Sequence, residues 1–175
     1  MKYAAAMTIA LAVLAAAGCG DDNPSSPTQQ NKFVFSALLS GNNEVPPITG
    51  TEAGGGGNST ITIDVTRDSS GNITAATASF VVNLNALPPN TPINLSHIHQ
   101  AAAGTNGAVV VNTGLTAASP VVLTNGSGSF ERPNIAITPV DIATQIIANP
   151  AGFYFNSHSQ INGGGVVRGQ LQRVQ

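Results

Sequence analysis

The stretch Thr60-Ile61-Thr62-Ile63-Asp64-Val65, followed by Asp68-Ser69-Ser70-Gly71-Asn72 and then Ala76-Thr77-Ala78-Ser79-Phe80-Val81-Val82-Asn83-Leu84, decides the fold class. Ile61, Ile63 and Val65 alternate with Thr60, Thr62 and Asp64, the period-2 pattern of a half-buried strand. Ala76, Ala78, Phe80, Val82 and Leu84 repeat that period on the return. The polar segment between them supplies a hairpin connection, with Gly71 or Asn72 suited to a positive φ.

The same pattern extends outward in both directions. Upstream, Phe33, Phe35, Ala37 and Leu39 form an alternating strand that breaks at Ser40-Gly41-Asn42-Asn43. Glu44-Val45-Pro46-Pro47 is an edge or a connection, because proline donates no ladder hydrogen bond. Glu52 to Asn58 reads as a glycine-rich turn or loose loop. Downstream, Pro88 to Pro92 separates the hairpin from Leu95-Ser96-His97-Ile98-His99. A small-residue loop, Ala101 to Gly107, leads into Ala108-Val109-Val110-Val111. Val121-Val122-Leu123 and Gly128-Ser129-Phe130-Glu131 read as a second hairpin turning at Asn125-Gly126. One helix is predicted over Pro139–Ala148, with Thr138 as cap and Ile142, Ala143, Ile146 and Ile147 as its apolar stripe. Phe153 to Ser159 and Val166 to Leu171 complete an all-β, antiparallel β-sandwich. Its predicted core is Phe35, Ile63, Val65, Phe80, Val82, Val110, Phe153, Phe155, Val167 and Leu171.

The first 31 residues have a different character. Lys2 precedes an apolar run, Ala4 to Ala17, too short to span a membrane comfortably, which ends in Ala15-Ala16-Ala17-Gly18-Cys19. These small residues before a cysteine resemble the lipobox of bacterial lipoprotein signal peptides. That resemblance implies a signal peptide over 1–18, cleavage before Cys19, and a lipid on that cysteine as membrane anchor. Cys19 is the sole cysteine, so it has no internal disulfide partner. Residues 19–31 carry Pro, Ser and Asp with nothing apolar to bury, a flexible tether, and residues 32–175 form the domain. The expected location is the cell envelope.

Charge is sparse, 8% of the chain, against about 25% in typical soluble proteins. From Lys32 onward there are five basic and six acidic residues, a net of −1. That balance offers no clustered basic face and argues against a nucleic-acid partner.

The chain has three histidines, His97, His99 and His158. Strand alternation turns His97 and His99 to one side and Ile98 to the other, with the imidazoles about 7 Å apart along the strand. With Phe153 and Phe155 facing the core, His158 points away from it with Tyr154 and Asn156. All three histidines then share one face if the two segments are neighbouring strands. A three-imidazole set with an open fourth position suits zinc or copper. Asn156 and Tyr154 are the neighbours placed to orient it. The competing reading is a hydrogen-bonded network that fixes a loop. If a metal site forms, it is expected near the surface, where histidine substitutions spare the fold and affinity falls as pH drops through about 6.5. Glu44 and Arg168 are the other polar pair, read as a salt bridge between the first connection and the last strand, or as ligand-binding groups.

Taken in order, the landmarks resemble the CHRD domain, the repeat named after chordin. Leu39-Ser40-Gly41-Asn42-Asn43-Glu44-Val45-Pro46-Pro47 is similar to its opening motif. His97-Ile98-His99 with Gly107-Ala108-Val109-Val110-Val111 is similar to the middle one. Tyr154-Phe155-Asn156-Ser157-His158-Ser159 with Gly165 to Leu171 is similar to the last, Val166 standing for the usual glutamate and Ser159 for threonine. The resemblance implies an immunoglobulin-like sandwich or barrel of Greek-key type, and no general enzymatic reaction. Three functions follow as expectations. The first is an envelope-anchored binding or adhesion module for a protein or surface ligand, without catalysis. The second is a copper- or zinc-binding envelope protein. The weakest is a superoxide dismutase-like metalloenzyme, whose two-metal set needs more than three histidines.

Overall fold

A computed structural model describes residues 29–175. Ten strands follow in chain order: β1 (Lys32–Ser40), β2 (Gly56–Arg67), β3 (Ile73–Asn85), β4 (Thr91–Gln100), β5 (Ala108–Asn112), β6 (Val121–Leu123), β7 (Gly128–Ala136), β8 (Phe153–Ser159), β9 (Val167–Gln170) and β10 (Gln172–Arg173). One helix, α1 (Asp141–Ala148), precedes β8. All pairings are antiparallel, in the order β5-β4-β8-β9-β1-β2-β3-β7; β6 also pairs with β4, and β10 with β1. The hairpin predicted around Asp68–Asn72 is the β2–β3 pair, registered from Gly56↔Asn85 to Arg67↔Ile73.

This single sheet curls into a nearly closed barrel. Four strand steps separate β3 from β8, roughly 19 Å in a flat sheet at about 4.8 Å per step. Yet the rings of Phe80 and Phe155 lie 5.9 Å apart, so the two strands face each other across the core. The ends of the sheet also meet: Leu123 of β6 packs against Gly128 at the start of β7. The interior is a continuous apolar cluster in which Phe35, Ile61, Ile63, Phe80, Ile98 and Phe155 are fully or almost fully buried.

Nine of the ten predicted core residues are buried. Val110 is half-exposed and Val111 takes its place, because a bulge beside Ile98 sets Val111 opposite Ile98 and Val109 opposite His99, leaving Val110 as the extra residue. The predicted second hairpin does not form as such: β6 pairs with the start of β4 and β7 with β3. The turn between them is used instead to dock Leu87 and Asn90, whose N–H groups donate to Gly126 and Leu123. Helix α1 starts at Asp141 after Val140, without a side-chain cap from Thr138.

The expected signal peptide and Cys19 lie outside the described residues. Gln30 and Asn31, expected at the end of the tether, accept hydrogen bonds from Arg67, and Asn31 O accepts one from Val65 N. Among the described residues, no helix is long and apolar enough to cross a membrane.

The Phe80–Phe155 contact links strands that nothing local brings together. Truncating either ring to alanine is expected to cost about 3–5 kcal/mol. The double variant should cost less than the sum by roughly 0.5–1.5 kcal/mol, read from urea unfolding.

Candidate functional site

Strand β8 is buried on both faces. Phe153, Phe155 and Ser157 point into the barrel; Tyr154, Asn156 and His158 point away from it, beneath loops. β4 and β9 flank β8. On the outer face, His97 stands opposite Asn156, His99 opposite Tyr154, and Arg168 of β9 opposite Asn156 from the other side. The parity argument thus holds, and β4 and β8 are neighbours. On the inner face, the Ser96 and Ser157 hydroxyls satisfy each other at 2.9 Å.

The expectation of a surface position is corrected. His97, His99 and His158 are only 6%, 8% and 6% exposed. The loops around residues 101–107 and 160–165 cover them, and their carbonyls hold two of the rings. His99 Nδ1 donates to Gly107 O at 2.9 Å, and His158 Nδ1 to Gly163 O at 2.9 Å. Since a carbonyl only accepts, both Nδ1 atoms carry the proton, and in the neutral rings both Nε2 atoms are bare lone pairs. His99 Nε2 is buried with no hydrogen-bond partner. His158 Nε2 lies 3.1 Å from His97 Nδ1 and 3.1 Å from Asn156 Oδ1. One nitrogen from each of the three rings falls within 4.8 Å of the others. Three ligands of a tetrahedral zinc are about 3.3 Å apart at bond lengths of about 2.0–2.1 Å, so the three rings could hold a metal once they close on one another.

Electrostatics keeps these rings neutral. Burial pushes the His97 imidazole down to about 4, and neighbouring His158 and His99 add to the shift. Burial also lowers His99, partly offset by Gly107 O and Asn156, and lowers His158, partly offset by Gly163 O. The neutral form is the one a metal requires. Proton competition therefore sets in below the expected value of about 6.5.

Tyr154 lies between two planar groups. The His99 ring stacks on it at 4.8 Å and 5°, and the Arg168 guanidinium carbon sits 3.4 Å from its centroid. Arg168 is fully buried; its nitrogens donate to Ala102 O, Thr105 O and Asn106 Oδ1. It therefore braces the loop that holds His99. The expected Glu44–Arg168 salt bridge is not formed; among the described residues the ion pair is Lys32–Asp64, at 3.6 Å and exposed. Carbonyl oxygens and the tyrosine face satisfy the guanidinium instead. Glu44 Oε1 is buried without a hydrogen-bond partner beneath Gly165, where an added Cβ would lie 2.5 Å from it. Burial raises the Glu44 carboxyl to about 7, against the lowering influence of Arg168 and Asn156.

Glu52, expected in a glycine-rich turn or loose loop, is a further buried polar group that the sequence does not reveal. Its carboxylate is buried and accepts from Ser159 Oγ at 2.6 Å and from Asn162 Nδ2. A lone acid in a glycine-rich turn carries no periodic signal. Two clefts of about 460 and 340 Å³ flank Val45–Pro47, and Glu44 lines both.

The family model for the CHRD domain matches residues 35–171. No curated protein and no solved structure matches the chain.

Two pH dependences follow. The histidines protonate at lower pH in the folded state than in the unfolded one, so stability present above about pH 6.5 is lost as pH falls toward 4. Glu44 acts in the opposite sense: its proton is held to about 7 when folded, so ionisation costs stability as pH rises. Glu44→Gln is expected to stabilise the protein at pH 8 by on the order of 2–3 kcal/mol and to change little at pH 4. Urea unfolding at both pH values checks this.

Proposed function

The chain belongs to the CHRD domain family, and from that premise we propose a non-catalytic binding module, held at the cell envelope through lipidated Cys19, that binds one copper or zinc ion between His97, His99 and His158. The family supports the binding-module reading. The metal rests on one observation above the others: His99 and His158 commit their Nδ1–H groups to backbone carbonyls, so their bare Nε2 atoms face the same small space. Backbone partners on the back nitrogens of histidines are the usual support for metal ligands. A purely structural network would be expected to give His99 Nε2 a donor, and it has none. With nitrogen-only ligands the site suits zinc or copper better than calcium or magnesium. Such a module stores, carries or senses the ion.

Calorimetric titration of tag-free protein with zinc and copper tests the reading. One saturable site per chain tighter than micromolar is expected, weakened at least about 10-fold in His99→Ala. No saturable uptake by wild type sinks the metal site. For the anchor, the mature membrane-bound protein should begin at a lipid-modified Cys19 by mass spectrometry; an unmodified Cys19 refutes it.

A second reading takes the clefts beside Val45–Pro47 as a seat for a protein or surface ligand. It is favoured by Glu44, which lines both and keeps one oxygen unpartnered. Survival of ligand binding in His99→Ala but not in Glu44→Ala would select it.

A further inference from the structure

We infer that Glu52 is the positioning residue of the histidine site, a buried latch that fixes the loop carrying the Gly163 carbonyl and thereby the tautomer of His158; this rests on the metal-binding reading. Glu52 closes a short 3-10 turn (Gly50–Glu52) ahead of β2, and its own carbonyl accepts from Gly55 N at 2.9 Å, so its backbone is tied to the start of that strand. Its side chain reaches across to residues more than 100 positions later. One carboxylate oxygen accepts from Ser159 Oγ at 2.6 Å and from Asn162 Nδ2. Ser159 Oγ in turn accepts from Asn162 N at 2.8 Å, and Asn162 O accepts from Gly165 N at 3.1 Å.

These bonds enclose Gly163, whose carbonyl receives the His158 Nδ1 proton at 2.9 Å. Asn162 immediately precedes Gly163, and Ser159 immediately follows His158. The latch therefore grips the loop on one side of the carbonyl and the strand on the side of the ring. Glycines at 163, 164 and 165 give this segment little conformational preference of its own. Gly165 adopts φ +135°. Apart from the Asn162 N–Ser159 Oγ and Gly165 N–Asn162 O bonds, the Glu52 carboxylate is what ties this loop down, by gripping both Ser159 and Asn162. If the Gly163 carbonyl leaves, the Nδ1 proton loses its acceptor. The imidazole then no longer favours the tautomer that turns the Nε2 lone pair toward His97 and His99. His99 is held by Gly107, on a different loop braced by Arg168. The two histidines thus have separate supports, and His99 serves as an internal control.

The test compares full-length wild type with Glu52→Ala and Asn162→Ala. Asn162 is only partly buried, so its variant tests the latch even where loss of the Glu52 charge prevents folding. Nitrogen-15 NMR of the imidazoles, without metal, should show wild-type His99 and His158 both protonated at Nδ1. In the variants His158 should shift toward a mixture of tautomers while His99 stays unchanged. Zinc affinity should fall about 10- to 100-fold. The inference is overturned if His158 keeps its Nδ1–H tautomer in the folded variants, or if His99 shifts equally, which would mean general loosening. Failure of wild type to bind zinc would instead count against the metal reading, because the tautomer measurement needs no metal.

Discussion

Burial of β8 on both faces is the constraint from which the rest of the outer layer follows. A strand facing only the barrel interior would leave Tyr154, Asn156 and His158 in water. Here loops cover them, and every polar group on that face must find a partner or cost free energy. The covering loops meet this demand with backbone carbonyls. Gly107 O serves His99, Gly163 O serves His158, and Ala102 O and Thr105 O serve Arg168. Loops rich in alanine and glycine suit the task, because small side chains let the backbone approach a buried ring. At Gly107 an added Cβ would collide with the Gln100 carbonyl.

The face is satisfied with two exceptions, His99 Nε2 and Glu44 Oε1. Each of these two atoms is buried without a hydrogen-bond partner. Burial keeps the histidines neutral and Glu44 protonated to about 7, so the layer avoids isolated charge rather than pairing it. Arg168 is the charged group it retains, spread over carbonyl dipoles and the face of Tyr154. An unpartnered imidazole nitrogen beside two others, with proton uptake suppressed, is the observation on which the proposed metal site rests.

Much of this was legible in the chain. The alternation of Ile61, Ile63 and Val65 against Ala78, Phe80 and Val82 gave the hairpin, because side-chain parity in a strand is strict. Parity also placed His97, His99 and His158 on one face, once β4 and β8 proved to be neighbours. Depth was not legible. The segment Ala101 to Gly107 read only as a small-residue loop, and nothing local says that a loop folds back over a sheet. Val110 misled because a bulge shifts parity by one residue. Glu52 gave no sign because its partners, Ser159 and Asn162, lie more than 100 residues away. The Glu44–Arg168 pairing looked natural from opposite charges, yet carbonyls and an aromatic face displaced it.

The central claim is that three imidazoles of this layer form one metal shell, and X-ray absorption spectroscopy at the metal edge of tag-free protein loaded with one equivalent of zinc or copper tests it most directly. The account predicts about three imidazole nitrogens near 2.0–2.1 Å, reduced in number in His158→Ala. A first shell of oxygen only, without imidazole scattering, would contradict it.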